Sequence, residues 1–335
     1  MALTVRNTAG ESVQLAETAF AQGGEAAVHA VPRFPGVVVK LYHPQVLQKR
    51  DDALRAKIEA MVSDPFLAKF KQHPGVAWPR FSVFDEGNQW RGYAMRKADG
   101  VRMSVLAHAM AYREHFPNLD RPALTGYLLN MVSTLRELHA AGVMVGDYNP
   151  ANFLCLPGSP AVTLIDCDSW QVNAAGKTFH CPVAAPDMLP PELLGAELST
   201  VLRTTESELF ALAILVFKVM MLGRHPFDVV GGESPLANIG KGYFPYGLGG
   251  GGIPKGPWFN IWSHLPYKLK EQLVRTFKDG TRNSAERTTL TEWVDLLSLY
   301  QREMSRGWHN TQIKPSAPKS GQYRGSQSIS QAIAG

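Results

Sequence analysis

Val145-Gly146-Asp147-Tyr148-Asn149-Pro150-Ala151-Asn152 carries an aspartate and an asparagine five positions apart. Asp166 follows fourteen residues later, in Val162-Thr163-Leu164-Ile165-Asp166-Cys167-Asp168. Taken singly, Gly-Asp and Asn-Pro are turn formers, and Asp147 and Asn152 need do no more than shape a loop. Asn152 and Asp166 together offer the amide and carboxylate oxygens that a hard cation accepts. Upstream, residues 124–141 place Leu128, Met131, Leu135 and Leu138 at helical spacing and stop at Gly142, a natural C-terminal cap. The stretch is therefore a loop that follows a helix.

Further outward, the first hundred residues read as mostly strands. Short β-rich segments at 12–15, 27–31 and 37–42 are separated by turns containing Gly23-Gly24 and Pro35-Gly36. A helix is expected over 44–62, then strands over 80–84 and 91–95 joined by Asp85-Glu86-Gly87-Asn88. After Gly100 helices dominate, at 124–141, 207–222, 267–278 and 290–304, with an irregular stretch from Asp166 to Pro191. Residues 230–256 form a glycine-rich loop, with Gly247 and the run Gly249 to Gly252, that is too long for a plain connector. The expectation is an α+β chain with a small β-rich lobe (1–100), a large helical lobe (101–305) and a natural cleft between them. The Ser, Gln, Gly and Pro-rich tail (306–335) reads as disordered and basic.

The chain has 335 residues, a net charge of +5 and a pI near 9.0, which invites a nucleic-acid reading. The location of the charge argues against it. Beyond Glu303 there is no acidic residue, while Arg306, Lys314, Lys319 and Arg324 add four positive charges, leaving 30 basic against 29 acidic residues elsewhere. A near-neutral body offers no broad footprint for a phosphate backbone. Cys155, Cys167 and Cys181 are too few and too scattered for a disulfide framework or a four-cysteine zinc site, so reduced thiols in the cytoplasm are expected. No signal peptide is visible. The most apolar run, 209–222, is interrupted by Lys218 and shorter than the roughly 20 residues a membrane span needs, so it reads as a buried helix.

Phosphoryl transfer from ATP needs a cover for the phosphates, a cation to hold them, oxygen ligands for Mg²⁺, and a carboxylate to orient the acceptor. The order in which this chain offers them resembles the protein kinases. Residues 138–154 resemble the kinase catalytic loop with the end of its preceding helix. The resemblance makes Asp147 the catalytic aspartate and Asn152 a metal ligand. Residues 162–168 resemble the strand entering the Asp-Phe-Gly motif, with Asp166 the principal Mg²⁺ ligand. Val37-Val38-Val39-Lys40 resembles the Val-Ala-Ile-Lys strand, so Lys40 would hold the α- and β-phosphates. Residues 21–28 align with the phosphate-covering loop, keeping Gly23 and adding Gly24, with Val28 as its final valine. Tyr93-Ala94-Met95 resembles the strand leading to the interlobe hinge, with Met95 as gatekeeper and the adenine on the backbone of Arg96, Lys97 and Ala98. Val38 and Phe153 complete the implied nucleotide set. Glu59 is the chosen partner for Lys40 on the helix, with Asp51 and Asp52 as alternatives. Leu189-Pro190-Pro191-Glu192-Leu193 resembles the Ala-Pro-Glu segment, and Arg287 would be its ion-pair partner.

Several positions depart from the family pattern. Val145-Gly146 replaces His-Arg, Asn149 replaces a lysine, Cys167-Asp168 replaces Phe-Gly, and Glu208 replaces an aspartate at the start of the central helix. The variant set resembles a group of atypical bacterial kinase-like proteins, some associated with a von Willebrand A-type protein and a metal-dependent phosphatase in tellurite-resistance-type systems. What this implies is an ATP- and Mg²⁺-dependent Ser/Thr kinase with a protein substrate. A nucleotide-binding pseudokinase scaffold and a small-molecule phosphotransferase are the competing readings. Because Gly146 lacks the arginine that receives an activation-loop phosphate, activity is expected to be independent of such phosphorylation. Phosphatase treatment, and replacement of Ser169 and Thr178 by Ala, should leave activity unchanged; a large loss would sink this expectation.

Overall fold

Alternating apolar residues in the first hundred positions build a seven-stranded antiparallel sheet. The structure, a computed structural model, describes residues 3–247 and 251–319, apart from the Asp51 side chain. Gly249 and Gly250 of the glycine run, and tail residues 320–335, lie outside the described residues. The strands are β1 (Leu3–Arg6), β2 (Ser12–Leu15), β3 (Ala21–Gln22), β4 (Ala26–Ala30), β5 (Val37–Tyr42), β6 (Pro79–Phe84) and β7 (Trp90–Arg96), in the order β2-β1-β6-β7-β5-β4-β3. One face carries Val5, Leu15, Val31, Val39, Val83 and Ala94 into a common core. Because side chains alternate along a strand, the other face receives Val38, Lys40 and Tyr42 from β5 and Tyr93 from β7. Lys40 and Tyr93 are direct cross-strand partners.

Helix α1 (Pro44–Ser63) starts with proline at its first turn and packs on β6 and β7. Among its buried positions, Leu54, Lys57, Ile58 and Met61 follow the helical period, with Ala60 beside them. This first unit comprises residues up to Asp99 together with 141–143 and 163–179. The last of these segments was expected in the helical lobe. It is held here because Leu164 donates to the Gly75 carbonyl and accepts from the Ala77 amide. The irregular stretch after Asp166 contains a hairpin, Val172–Ala174 paired with Lys177–Phe179. Ala175 and Gly176 turn it with φ of +51° and +73°, both left-handed, as a tight two-residue turn requires.

The second unit comprises residues 100–140, 144–162 and 180 onward. Its axis is the helix Thr205–Met220, in which Thr204 and Ser207 form a reciprocal capping box and nearly every side chain is buried. That explains the apolar run without a membrane; no helix among the described residues is long and apolar enough to cross one. Phe210, Phe217, Phe227, Phe244 and Phe277 pack edge-on and tilted around the helix. The segment read as a glycine-rich loop contains the helix Pro235–Lys241, capped by the Ser234 side chain. The fully buried Asn238 amide donates to the Phe227 and Glu233 carbonyls and holds the segment down.

The tail is a correction. Residues 307–319 are packed on this unit rather than disordered. Buried Arg121 donates from its guanidinium to the carbonyls of Ile313 and Met220 (2.7 and 2.6 Å), and its amide donates to Thr311. Asn260 and His264 donate to the Pro315 and Ala317 carbonyls. A polar composition is no bar to order when side chains of the body satisfy the tail's backbone. Arg121→Met is expected to cost about 1–3 kcal/mol, the penalty for orphaned buried carbonyls. It should also make residues 307–319 more sensitive to limited proteolysis; unchanged cleavage would show that Arg121 is not the clamp.

Candidate functional site

Three donors on one face of β5 and β7 converge on a single carboxylate. Lys40 Nζ lies 2.8 Å from both Oδ1 and Oδ2 of Asp168, the Tyr93 hydroxyl donates to Oδ1 at 2.8 Å, and the Tyr42 hydroxyl donates to Oδ2. Lys40 also reaches Asp166 Oδ1 at 2.5 Å. The two aspartates differ in access. The Asp168 side chain is 5% exposed and that of Asp166 42%. Burial alone would raise the Asp168 pKa, but Lys40 and the two phenols outweigh it and hold it at about 2. Burial likewise disfavours the Lys40 ammonium, and the Asp168 and Asp166 charges more than reverse that, leaving its pKa above the ordinary value. Asp166 itself has φ of +65°. Aspartate tolerates the left-handed region better than most residues, yet such positions are uncommon and collect at functional sites.

The partner chosen for Lys40 from the sequence is corrected here. Glu59 is exposed and pairs with Arg55 one helical turn back, at 2.8 Å. The inward stripe of α1 runs through positions 54, 57, 58 and 61, which turns 59 toward solvent. Asp52 is exposed on the same helix, and the Asp51 side chain lies outside the described residues. Gly23 and Gly24 form the β3–β4 turn, where Gly23 donates to the Ala26 carbonyl. Neither has positive φ or a close neighbour a Cβ would strike, so the turn itself does not demand glycine. Val28 is half-buried on β4, and Val38 and Met95 are buried cross-strand partners. Of the three hinge residues, Lys97 already donates its amide to the Gly36 carbonyl, and the Arg96 side chain donates to the Pro74 carbonyl. The backbone engagement of Lys97 removes its N–H from the set proposed for adenine.

In the second unit, Asp147 and Asn152 are brought together. Asp147 Oδ2 accepts from Asn152 Nδ2 at 3.0 Å, while Oδ1 accepts from the backbone amides of Ala185 (2.9 Å) and Asn149 (3.3 Å). Turned this way, the Asn152 amide directs its own oxygen away from Asp147. The loop is built from three local devices. Gly146 has φ of +70° and sits between the Asp147 amide and the Val145 carbonyl, which are hydrogen-bonded across a three-residue γ-turn. Asn149 caps the short helix Pro150–Asn152 by accepting from the Ala151 amide, so the residue found in place of a lysine has a structural task. Buried Glu208 accepts from the amides of Val145 and Gly146 and from the Tyr148 hydroxyl, at 2.8, 2.9 and 3.0 Å. Glu192 and Arg287 form the expected pair through two bonds of 2.6 and 2.7 Å.

Phe153 is a second correction. It is fully buried against Tyr148 inside the second unit, because strand alternation sends it inward and leaves Leu154 half-exposed. The sequence reading also missed Asp168. Its signal was present: lysine and tyrosine two apart on β5, with a tyrosine opposite on β7, make a polar face needing a buried anion. No three His, Cys, Asp or Glu side chains gather as a metal cage among the described residues. Asp166 in the first unit and Asn152 in the second are each partly exposed and each carry a side-chain oxygen of the kind a hard cation accepts. Cys167, between the two aspartates, is buried, and its thiol donates to the Ala77 carbonyl.

The missing arginine at 146 has a steric reason. A Cβ there would lie 2.4 Å from Cys181 Sγ. Gly146→Arg is therefore expected to destabilise the protein by about 1–3 kcal/mol, from overpacking and a left-handed non-glycine backbone. Gly146→Ala should show most of the same loss in urea unfolding. Wild-type stability in both variants would remove the steric explanation.

No family model matches the chain. It is 29% identical over 300 residues to the protein kinase YegI of Escherichia coli O157:H7, covering 85% of this chain and 44% of that protein. It is 32% identical over 217 residues to the protein kinase YegI of Escherichia coli strain K12, covering 62% of this chain and 32% of that protein. The chain thus spans less than half the length of these curated relatives. Among solved structures it resembles the autoinhibited serine kinase domain of the giant muscle protein titin, with a TM-score of 0.61 and 15% identity over 94% of this chain and 86% of that one. That likeness shows the fold, bilobal and α+β. Together with the departures at Gly146, Asn149 and Cys167, these similarities support a kinship with atypical bacterial protein-kinase-like proteins, and the fold they share is that of the protein kinases.

Proposed function

We propose that this chain transfers the γ-phosphoryl group of ATP to a serine or threonine hydroxyl of a protein in the cytoplasm, using Mg²⁺. The observation that carries the reading is the placement of Asp147. Its carboxylate is fixed by Asn152, Asn149 and Ala185, and it is left partly exposed, as a base that orients an acceptor hydroxyl must be. Lys40 holds the ATP phosphates, and Asp166 and Asn152 would hold the metal. When bound, Mg²⁺ would neutralise phosphate charge. The Glu192–Arg287 pair supports a protein acceptor over a small molecule, because it anchors the segment that resembles the substrate-facing part of protein kinases. A von Willebrand A-type protein and a metal-dependent phosphatase belong to the same proposal as partners.

The test is incubation with Mg²⁺ and γ-labelled ATP, with and without candidate partner proteins. Asp147→Asn and Asp166→Asn are each expected to lower protein labelling by about a hundredfold or more. Asp147→Asn should still bind nucleotide. Nucleotide binding by the wild type without any transfer would instead identify a scaffold, and label appearing only on small molecules would identify a different phosphotransferase.

A further inference from the structure

We infer that Asp168 is the positioning carboxylate of Lys40, in place of a carboxylate from α1, so that the aim of Lys40 is set by the sheet and the Asp166–Asp168 segment. This rests on the reading of Lys40 as the phosphate-holding lysine. The geometry is specific. Asp168 takes four hydrogen bonds, two from Lys40 and one from each phenol. The phenols are fixed in turn: the Tyr42 ring stacks on Trp90 with centroids 5.4 Å apart, and Tyr93 packs beside it at 6.4 Å. The Lys40 ammonium lies 5.7 Å from the centre of the Tyr42 ring, which adds a cation–π attraction.

Among the described residues, helix α1 offers no buried acid as a substitute: its buried positions are Leu54, Lys57, Ile58, Ala60 and Met61, a stripe with a second lysine and no carboxylate. A buried ammonium with one acidic partner would compete for that partner. Here the almost wholly buried Asp168 carboxylate meets Lys40 with both of its oxygens, and the more exposed Asp166 meets it with Oδ1. Two devices tie down the Asp168 segment. The Ser169 hydroxyl donates to the Asp166 carbonyl at 2.8 Å, and the Asp64 carboxylate at the end of α1 accepts from the Ala175 amide at 3.2 Å. Among the described residues, the ion pairs of Lys40 are made with Asp166 and Asp168 and not with an acid of α1.

The experiment uses the full chain and two readouts. The first is the rate at which an amine-reactive reagent labels Lys40 without nucleotide, followed by peptide mass spectrometry. Asp168→Asn is expected to raise that rate at least fivefold, and Tyr42→Phe with Tyr93→Phe, which keeps the aromatic packing, at least twofold. Glu59→Ala should leave it within a factor of about 1.5. The second is steady-state kinetics. Asp168→Asn should raise the KM for ATP about tenfold with the KM for the protein acceptor unchanged, a split that a mere loss of folded protein would not produce. Labelling of Lys40 that is unchanged in both the Asp168 and the double tyrosine variants overturns the inference, as does an equal effect of Glu59→Ala. Absence of any transfer by the wild type would overturn the kinase reading alone, since the labelling comparison needs no nucleotide.

Discussion

The Asp168 carboxylate can be buried only because three donors are waiting for it, and that requirement fixes the register of the first unit. Desolvating a carboxylate and an ammonium together costs several kcal/mol per ion unless further hydrogen bonds complete the pair. Tyr42 and Tyr93 supply them. They reach Asp168 only if β5 and β7 pair with Lys40 opposite Tyr93. A slip of one residue would carry Lys40 and Tyr42 into the apolar core and expose Val39 and Leu41. The apolar face, with Val39 and Ala94 also opposite one another, enforces the same register. Packing on one side of the sheet and electrostatics on the other therefore agree.

The second unit solves a similar problem around Glu208. Its carboxylate lies at the start of an almost wholly buried helix and gathers two backbone amides and a phenol from the loop that carries Asp147. Asp and Glu are favoured near helix N-termini, where unsatisfied amides leave a positive potential. The longer glutamate side chain accepts these hydrogen bonds at the position where the protein-kinase pattern has aspartate. Around it, Gly146 makes room for Cys181, and Asn149 replaces charge neutralisation with a helix cap. Departures that look like losses in the linear sequence are local solutions to packing.

Much of this was legible beforehand because the decisive signals are short-range. Strand alternation found β5 and β7, and helical spacing found the buried helix and the one that ends at Gly142. The motif spacing picked out Lys40 and Asp166, which the structure pairs, and Asp147 and Asn152, which it joins by a hydrogen bond. The errors share a cause in side-chain direction. Glu59 was chosen for its charge, although the apolar stripe of Leu54, Ile58 and Met61 already pointed its side chain outward. Phe153 belongs to the nucleotide set that the resemblance implies, although alternation sends it into the core. The packed tail could not be read at all. It depends on Arg121, almost two hundred positions away, satisfying carbonyls of residues that carry little apolar surface themselves.

Cys167 adds something of a different kind. Its sulfur is fully buried, it donates to the Ala77 carbonyl, and burial together with Asp168 and Asp166 pushes the thiol well above its usual pKa. Only thiolate reacts with alkylating agents at an appreciable rate. In the closed unit this sulfur is therefore doubly silent, shielded from reagent and held protonated. Any modification at Cys167 must pass through a state in which the Asp166–Asp168 turn has come away from Ala77. The residue that stands where the protein-kinase motif has an aromatic ring is thus a natural clock for the opening of the lysine–aspartate cluster, readable in the unaltered protein.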